Sequence, residues 1–269
     1  MACMDLNKCW GEFNIPRIEP GFWQFGPLHL WCKYENSELW IASKNIENPA
    51  SSGGTDEENI QPPPPNDIKW IRYSIADDYK KLVFRPMLPD RPLVVKVEAP
   101  FLLKKGARAR IFIRVPLWIK IEIKNKSNID MLELPTIVLS NTWFGSPVEG
   151  EVCYWISSGA RRSIEPDYER PYLAICSIEV INRADEDLLV DKICFRVGYL
   201  TLFSDGKQIW SNSTKVNFKG SQNFSEIDVS SKPPIEAGEA KKISEPRENP
   251  KKSFTYKTFS VLKELTDLF

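Results

Sequence analysis

Apolar and polar residues take turns along much of this chain. Leu28, Leu30, Cys32 and Tyr34 alternate with His29, Trp31, Lys33 and Glu35, the two-residue period of a strand. Asn36-Ser37 separates this run from LWIAS. Asn tolerates the positive φ of a two-residue turn, so a β-hairpin is predicted here. The pattern is strongest between Ile68 and Lys124. Ile71, Tyr73 and Ile75 alternate with polar neighbours, and LVF and PLVVKVE follow, separated by MLPDRP. After Gly106, Arg108, Arg110, Phe112 and Arg114 oppose Ala109, Ile111, Ile113 and Val115. Past Pro116, Ile119, Ile121 and Ile123 oppose Lys120, Glu122 and Lys124. One wet face and one packed face per strand point to antiparallel sheets. Pro116 cannot donate to a ladder and predicts a bend or an edge.

NKSNIDMLELP leads into a second series of strands: TIVLSNTWFG, EGEVCYWI, ICSIEVIN and DKICFRVGYLTLF. Asp205-Gly206 is a strong short hairpin signal, and KQIWSNSTKVNF returns from it. Strands at these intervals predict a mainly β fold with antiparallel β-sandwich-like architecture, two β halves packed together. The halves are expected at residues 1–126 and 127–231. Residues 48–66 are small, acidic and proline-rich and cannot repay the entropy of ordering, so a disordered loop is expected there. Residues 232–252 read as a polar linker. Over 253–269, Phe254, Val261, Leu262, Leu265, Leu268 and Phe269 recur at helical spacing. They predict a short amphipathic C-terminal helix that docks on its own domain or on a partner, the former preferred.

Composition removes several classes of function. Lys+Arg and Asp+Glu both number 36, so no global charge argues for nucleic acid or an anionic membrane. The charge is uneven: residues 68–126 hold 15 basic and 5 acidic side chains, a surplus of ten positive charges, while residues 127–192 hold 5 and 12, a surplus of seven negative ones. Alternating arginines on a strand usually form a solvated face that blocks edge aggregation. Arg108, Arg110 and Arg114 are nonetheless candidates for an anionic ligand, whereas nucleic acid is not expected, because no aromatics interleave with that face. Six cysteines without a C-x-x-C pair, four of them in apolar runs, read as buried reduced thiols. The first residues lack the apolar core of a signal peptide, and no window approaches the ~18 apolar residues of a membrane helix. A cytoplasmic location is therefore expected.

The chemistry-bearing motifs are few. His29 is the only histidine, which excludes His-rich zinc sites and paired-His protease helices. G-x-S-x-G, G-x-x-x-x-G-K and G-x-G-x-x-G are all absent. No cofactor and no metal site are expected. The most suggestive stretch runs from Trp143 to Tyr154 and Trp155 and on to Arg161 and Arg162. On one strand, Glu149 and Glu151 would face the same side about 7 Å apart. Such a pair could serve as an acid/base couple, with Arg161 and Arg162 orienting a ligand. The structural alternative is an ion-paired patch in which those arginines neutralise the glutamates. Trp143, Tyr154 and Trp155 could wall a ligand or simply pack in the core.

The run WFGSPVEGEVCYWISSGARRS, followed by ICSIEVINRADEDLLVDKICFRVGYLTLFSDGKQIW, resembles the prokaryotic family known as domain of unknown function 432. The likeness is carried by the W-F-G…E-G-E…A-R-R pattern and is clearest from about Leu134 to Val229. It extends back through RPLVVKVEAPFLLKKGARARIFIRVPLWIKI but does not cover the linker or the terminal helix. It implies a cytoplasmic, prokaryotic origin and supplies no activity and no catalytic residue. The reading that results is a non-enzymatic ligand- or protein-binding β module, with self-association or a protein partner through the terminal segment. A hydrolase using Glu149 and Glu151 is the alternative, and anionic-ligand or nucleic-acid binding through the Arg-rich face the second alternative.

Overall fold

The structure is a computed structural model that describes residues 6, 9–46, 63–75, 79, 81–164, 170–221, 223–249 and 252–259, with 158 and 159 as backbone alone. Strands dominate it, gathered in three sheets. The first contains β1 (Gly11–Asn14), β6 (Lys81–Met87), β9 (Trp118–Lys124) and β10 (Asn128–Pro135), antiparallel and adjacent in that order. The second is the meander β2 (Gly21–Phe25), β3 (Leu28–Glu35), β4 (Glu38–Asn45) and β5 (Ile71–Ser74). The third runs β14 (Leu188–Phe195), β7 (Leu93–Leu103), β12 (Glu151–Arg161), β8 (Arg108–Pro116), β13 (Leu173–Asn182), β16 (Ile209–Ser211), β15 (Leu202–Ser204) and β19 (Lys241–Ser244). On it, β11 (Ser140–Phe144) pairs β12, and β17 (Thr214–Phe218) pairs β13. Next to β17 come β18 (Ser225–Val229) and β20 (Ser253–Tyr256). Most pairs are antiparallel; β12 with β7 and β13 with β16 and β17 are parallel.

The alternation read from the sequence sets the inner faces. Leu28, Leu30 and Cys32, Ile119, Ile121 and Ile123, and Ile111, Ile113 and Val115 are all buried, and all belong to one continuous core shared by the three sheets. Asn36 and Ser37 both take positive φ, 52° and 61°, and join Glu35 to Glu38 in a two-residue hairpin, the geometry that follows strand twist. Asp205-Gly206 also turns a hairpin: the Asp205 carboxylate accepts from the backbone of Lys207 and Gln208 and from the Trp210 indole, at 2.7–2.9 Å. Pro116 marks a corner. β8 ends on it in the large sheet, and after Leu117 the chain enters β9 in the first.

Three expectations meet a different outcome, and a fourth lies mostly outside the described residues. Ser253–Tyr256 is strand β20, paired antiparallel with β18, and Phe259 bridges to Ile193. The described part of 253–269 is thus not helical; Phe254 and Tyr256 stand two apart, which suits a strand, and the helical spacing came mainly from residues beyond 259, which lie outside the described residues. The stretch 232–252, read as a linker, contains a 3-10 turn at Ile235–Ala237 and strand β19, which pairs with β15. The boundary at 126/127 falls in the turn between β9 and β10. β7 and β8 from one side of it lie among β12, β13 and β14 from the other, in a single sheet. Of the loop expected at 48–66, residues 48–62 lie outside the described residues.

Candidate functional site

A change of partner along β12 opens a cleft. Tyr154, Trp155 and Ile156 pair in parallel with Leu93, Val94 and Val95 of β7. The register then shifts, and only Ala160 and Arg161 reach β8, opposite Ile113 and Phe112. β8 meanwhile stays paired with β13 from Arg108 to Pro116. The first half of β12 therefore diverges from the second half of β8. The gap is about 340 Å³, with Trp155 and Ile156 on one side and Phe112 and Arg114 on the other. That volume lies in the roughly 300–1,000 Å³ range of small-molecule sites.

Three arginines line this cleft, Arg114, Arg161 and Arg170, together with Tyr172. No acidic side chain lines it among the described residues, which leave out 165–169. Arg161 also reaches Glu98 on β7, at 2.8 Å from Nε. The rim at Tyr172 is anchored from the far end of the chain. The Trp10 indole donates to the Pro171 carbonyl at 2.9 Å. Tyr172 lies against Gly26, where any Cβ would run into its ring.

On the same face of β12 as Trp155, two residues back, Cys153 joins a small separate cluster with Cys194, Val94 and Phe144, against which Trp155 packs. The ligand atoms of Glu151, Cys153 and Cys194 all lie within 4.8 Å of one another. The hydrogen bond between the two thiols lowers the pKa of Cys153 and raises that of Cys194, which burial raises further. Beside them sits Arg196, its side chain only 9% exposed. Its guanidinium pairs with the Glu151 carboxylate, reaches the Cys194 sulfur at 3.6 Å and lies 3.8 Å over the Tyr256 ring. Burial lowers its pKa to about 10, against the raising effect of Tyr256, Tyr199 and Glu248.

The residues singled out from sequence are dispersed. Glu149 lies exposed in the turn between β11 and β12, its backbone N–H bonded to Ser146 Oγ at 3.0 Å, while Glu151 opens β12 and pairs with Arg196. The two are not neighbours along one strand, because β12 begins only at Glu151. Arg161, at the opposite end of β12, pairs with Glu98, and Arg162 lies over Phe101 at 4.9 Å, so neither was placed by those glutamates. Trp143 is 52% exposed on the hairpin. Tyr154 points to the other face of β12 and donates to Asp90 at 2.9 Å. Along β8 the arginines do share a face, but Arg110 pairs with Glu236 at 2.6 Å and Arg108 sits at the exposed start; only Arg114 reaches the cleft. Of the three aromatics named, only Trp155 lines it. Arg170, Tyr172 and the Cys153–Cys194 cluster escaped notice. Nothing local signals them, because they meet only through pairings between distant strands.

The W-F-G…E-G-E pattern has a structural explanation. Trp143 lies on Gly150, where a Cβ would overlap its indole, and its Nε1 donates to the Ser146 carbonyl at 3.0 Å. Gly145 takes φ 113°, a conformation that glycine alone adopts without strain. The motif clamps a hairpin.

Fold and site together define an all-β protein of three sheets with an arginine-lined cleft in the largest. The chain belongs to the family described as "Protein of unknown function (DUF432)", which it matches over residues 9–263. The match reaches well beyond 134–229 and takes in the stretch read as a linker and much of the terminal segment. No curated protein and no solved structure matches the chain. No helix among the described residues is long and apolar enough to cross a membrane.

Proposed function

We propose that this protein is a non-enzymatic binding module whose cleft between β8, β12 and β13 takes a small anionic molecule with a flat apolar portion. The observation that carries the reading is the meeting of Arg114, Arg161 and Arg170 with Trp155 and Phe112 in one cavity. Guanidinium groups recognise carboxylate and phosphate through paired, charge-assisted hydrogen bonds. An indole and a phenyl ring offer faces on which a planar group stacks. The anion-binding candidate thereby narrows from the whole β8 face to Arg114, joined by two arginines from a stretch whose overall charge is negative. A sandwich-like layering of the sheets behind the cleft is supported by the single core to which all three contribute.

The test is thermal-shift titration of the full chain with nucleoside mono- and diphosphates, inorganic phosphate and aryl carboxylates. A ligand at a hundred times its Kd adds about 2.7 kcal/mol to stability. Stabilisation by an aryl or nucleoside anion, lost in Arg114→Ala and weakened in Trp155→Ala, is expected. Equal stabilisation of wild type and both variants, or none by any probe at millimolar concentration, overturns the reading.

A further inference from the structure

We propose that Glu151, Cys153 and Cys194 form a binding site for one thiophilic divalent cation, of which zinc is the representative. The site is separate from the anion cleft and does not depend on it, although Trp155 borders both.

Three relationships carry the inference. The first is proximity. Two sulfurs and a carboxylate oxygen lie within 4.8 Å of one another. Zinc–sulfur bonds of about 2.3 Å at tetrahedral angles hold thiolates roughly 3.8 Å apart, so about 1 Å of closure suffices. The second is register. Cys194 lies opposite Val94 on one side of β7, and Trp155, two residues after Cys153, lies opposite Val94 on the other. With β7 between them and Cys153 offset by two residues along the strand, the Cα atoms stand at least about two strand spacings apart, roughly 9–10 Å. A disulfide needs no more than about 7 Å. The pair is therefore too far apart to be oxidised to a disulfide without moving a strand, yet its sulfurs converge, which is the arrangement an ion can bridge. The third is charge. Two thiolates and a carboxylate bring three negative charges and the ion two positive ones. Arg196, already on Glu151 and 3.6 Å from the Cys194 sulfur, supplies the balancing charge.

On binding, two S–H bonds break, two sulfur–metal bonds form, and both protons leave to solvent, while Glu151 ligates as the carboxylate it already is. Glu151 is the solvent side of the cluster, its side chain 38% exposed where both sulfurs are buried. It receives the ion, and a water or a ligand group completes the fourth position. In this arrangement Arg196 is a positioning residue: it orients the carboxylate and one thiolate from behind.

The experiment is competition for zinc between the metal-stripped full chain and a chromophoric chelator, paired with cobalt substitution. Wild type is expected to take up one equivalent of zinc and, with cobalt, to show the near-ultraviolet charge-transfer absorption of thiolate ligation. Cys153→Ser and Cys194→Ser should each abolish stoichiometric binding, Arg196→Gln should weaken it about ten- to hundredfold, and Cys176→Ala should leave it unchanged. Should a cysteine variant fail to fold, the cobalt spectrum of wild type decides alone. Absence of thiolate absorption, failure of wild type to compete for zinc, or undiminished binding in a folded Cys153→Ser variant overturns the proposal.

Discussion

Arg196 is held by Glu151 in an ion pair whose two ends differ in exposure: the guanidinium side chain is almost wholly buried, and the carboxylate side chain keeps contact with water. Removing either partner is therefore not equivalent. Glu151→Ala strands a buried cation, whereas Arg196→Met leaves a glutamate that water can solvate. Without metal, Glu151→Ala should lower the free energy of unfolding by about 1–3 kcal/mol. The double variant Glu151→Ala/Arg196→Met should recover part of that loss, because the stranded charge goes with it. Urea denaturation of the four proteins completes the cycle. A double variant as unstable as the sum of the singles would contradict the account.

Asn182 makes a second prediction possible. It is fully buried at the end of β13, where its amide donates to the carbonyls of Leu103 and Glu186, at 2.9 and 2.8 Å, and its carbonyl accepts from the Ala184 N–H at 2.9 Å. One side chain thus ties β7, β13 and the turn into β14. Asn182→Ala leaves the buried Leu103 carbonyl and Ala184 N–H, and the part-buried Glu186 carbonyl, short of a partner. A loss of about 3 kcal/mol is expected, read as a lower urea midpoint at unchanged slope.

What the sequence revealed and what it hid divide along a physical line. Strand periodicity is written locally, because each half-buried strand must place alternate side chains in the core. The faces of β3, β8 and β9, the Asn36-Ser37 turn and the corner at Pro116 are all legible in neighbouring residues alone. The cleft is not. It exists because β12 pairs with β7 and then touches β8, a consequence of pairings between residues about 50 to 60 positions apart. Glu149 and Glu151 looked like a pair only on the assumption that one strand held both. Cys153 and Cys194 are 41 positions apart with β7 between them, and no spacing rule connects such residues. Strand β20 was obscured by apolar residues further along the chain, whose spacing suited a helix.

The single imidazole gives a pH prediction with a definite sign. His29 packs edge-on against Phe22 and Trp31, ring centres 5.1 and 5.8 Å away, and its partial burial lowers its pKa below the ordinary 6.5. Above that value the ring is neutral in both folded and unfolded chains and contributes no pH dependence. As pH falls through 6.5 the unfolded chain takes up the proton first, so stability declines, levelling off once the folded ring is protonated as well. His29→Gln should remove this component of the slope between wild type and variant. The titration of the lone His resonance by NMR locates the folded value. A midpoint at or above 6.5 would contradict the burial argument.

Phe259 tests whether the terminal segment belongs to the fold. It is buried, bridges to Ile193 and stacks edge-on against Phe218 at 5.7 Å. Close by, the Cys194 N–H donates to the Thr258 carbonyl at 2.8 Å, and β20 covers the edge of β18. Phe259→Ala empties a site in the main core, and phenylalanine truncations of this kind cost about 3 kcal/mol or more. Phe254→Ala, at a half-buried position on β20, should cost less. A docked but dispensable appendage would give a different result, with Phe259→Ala unfolding within about 0.5 kcal/mol of wild type. Because Cys194 and Arg196 lie on and just after β14, which this segment covers, the Phe259→Ala variant should also bind zinc more weakly. A stability loss without any change in zinc affinity would separate the terminal strand from the thiol cluster.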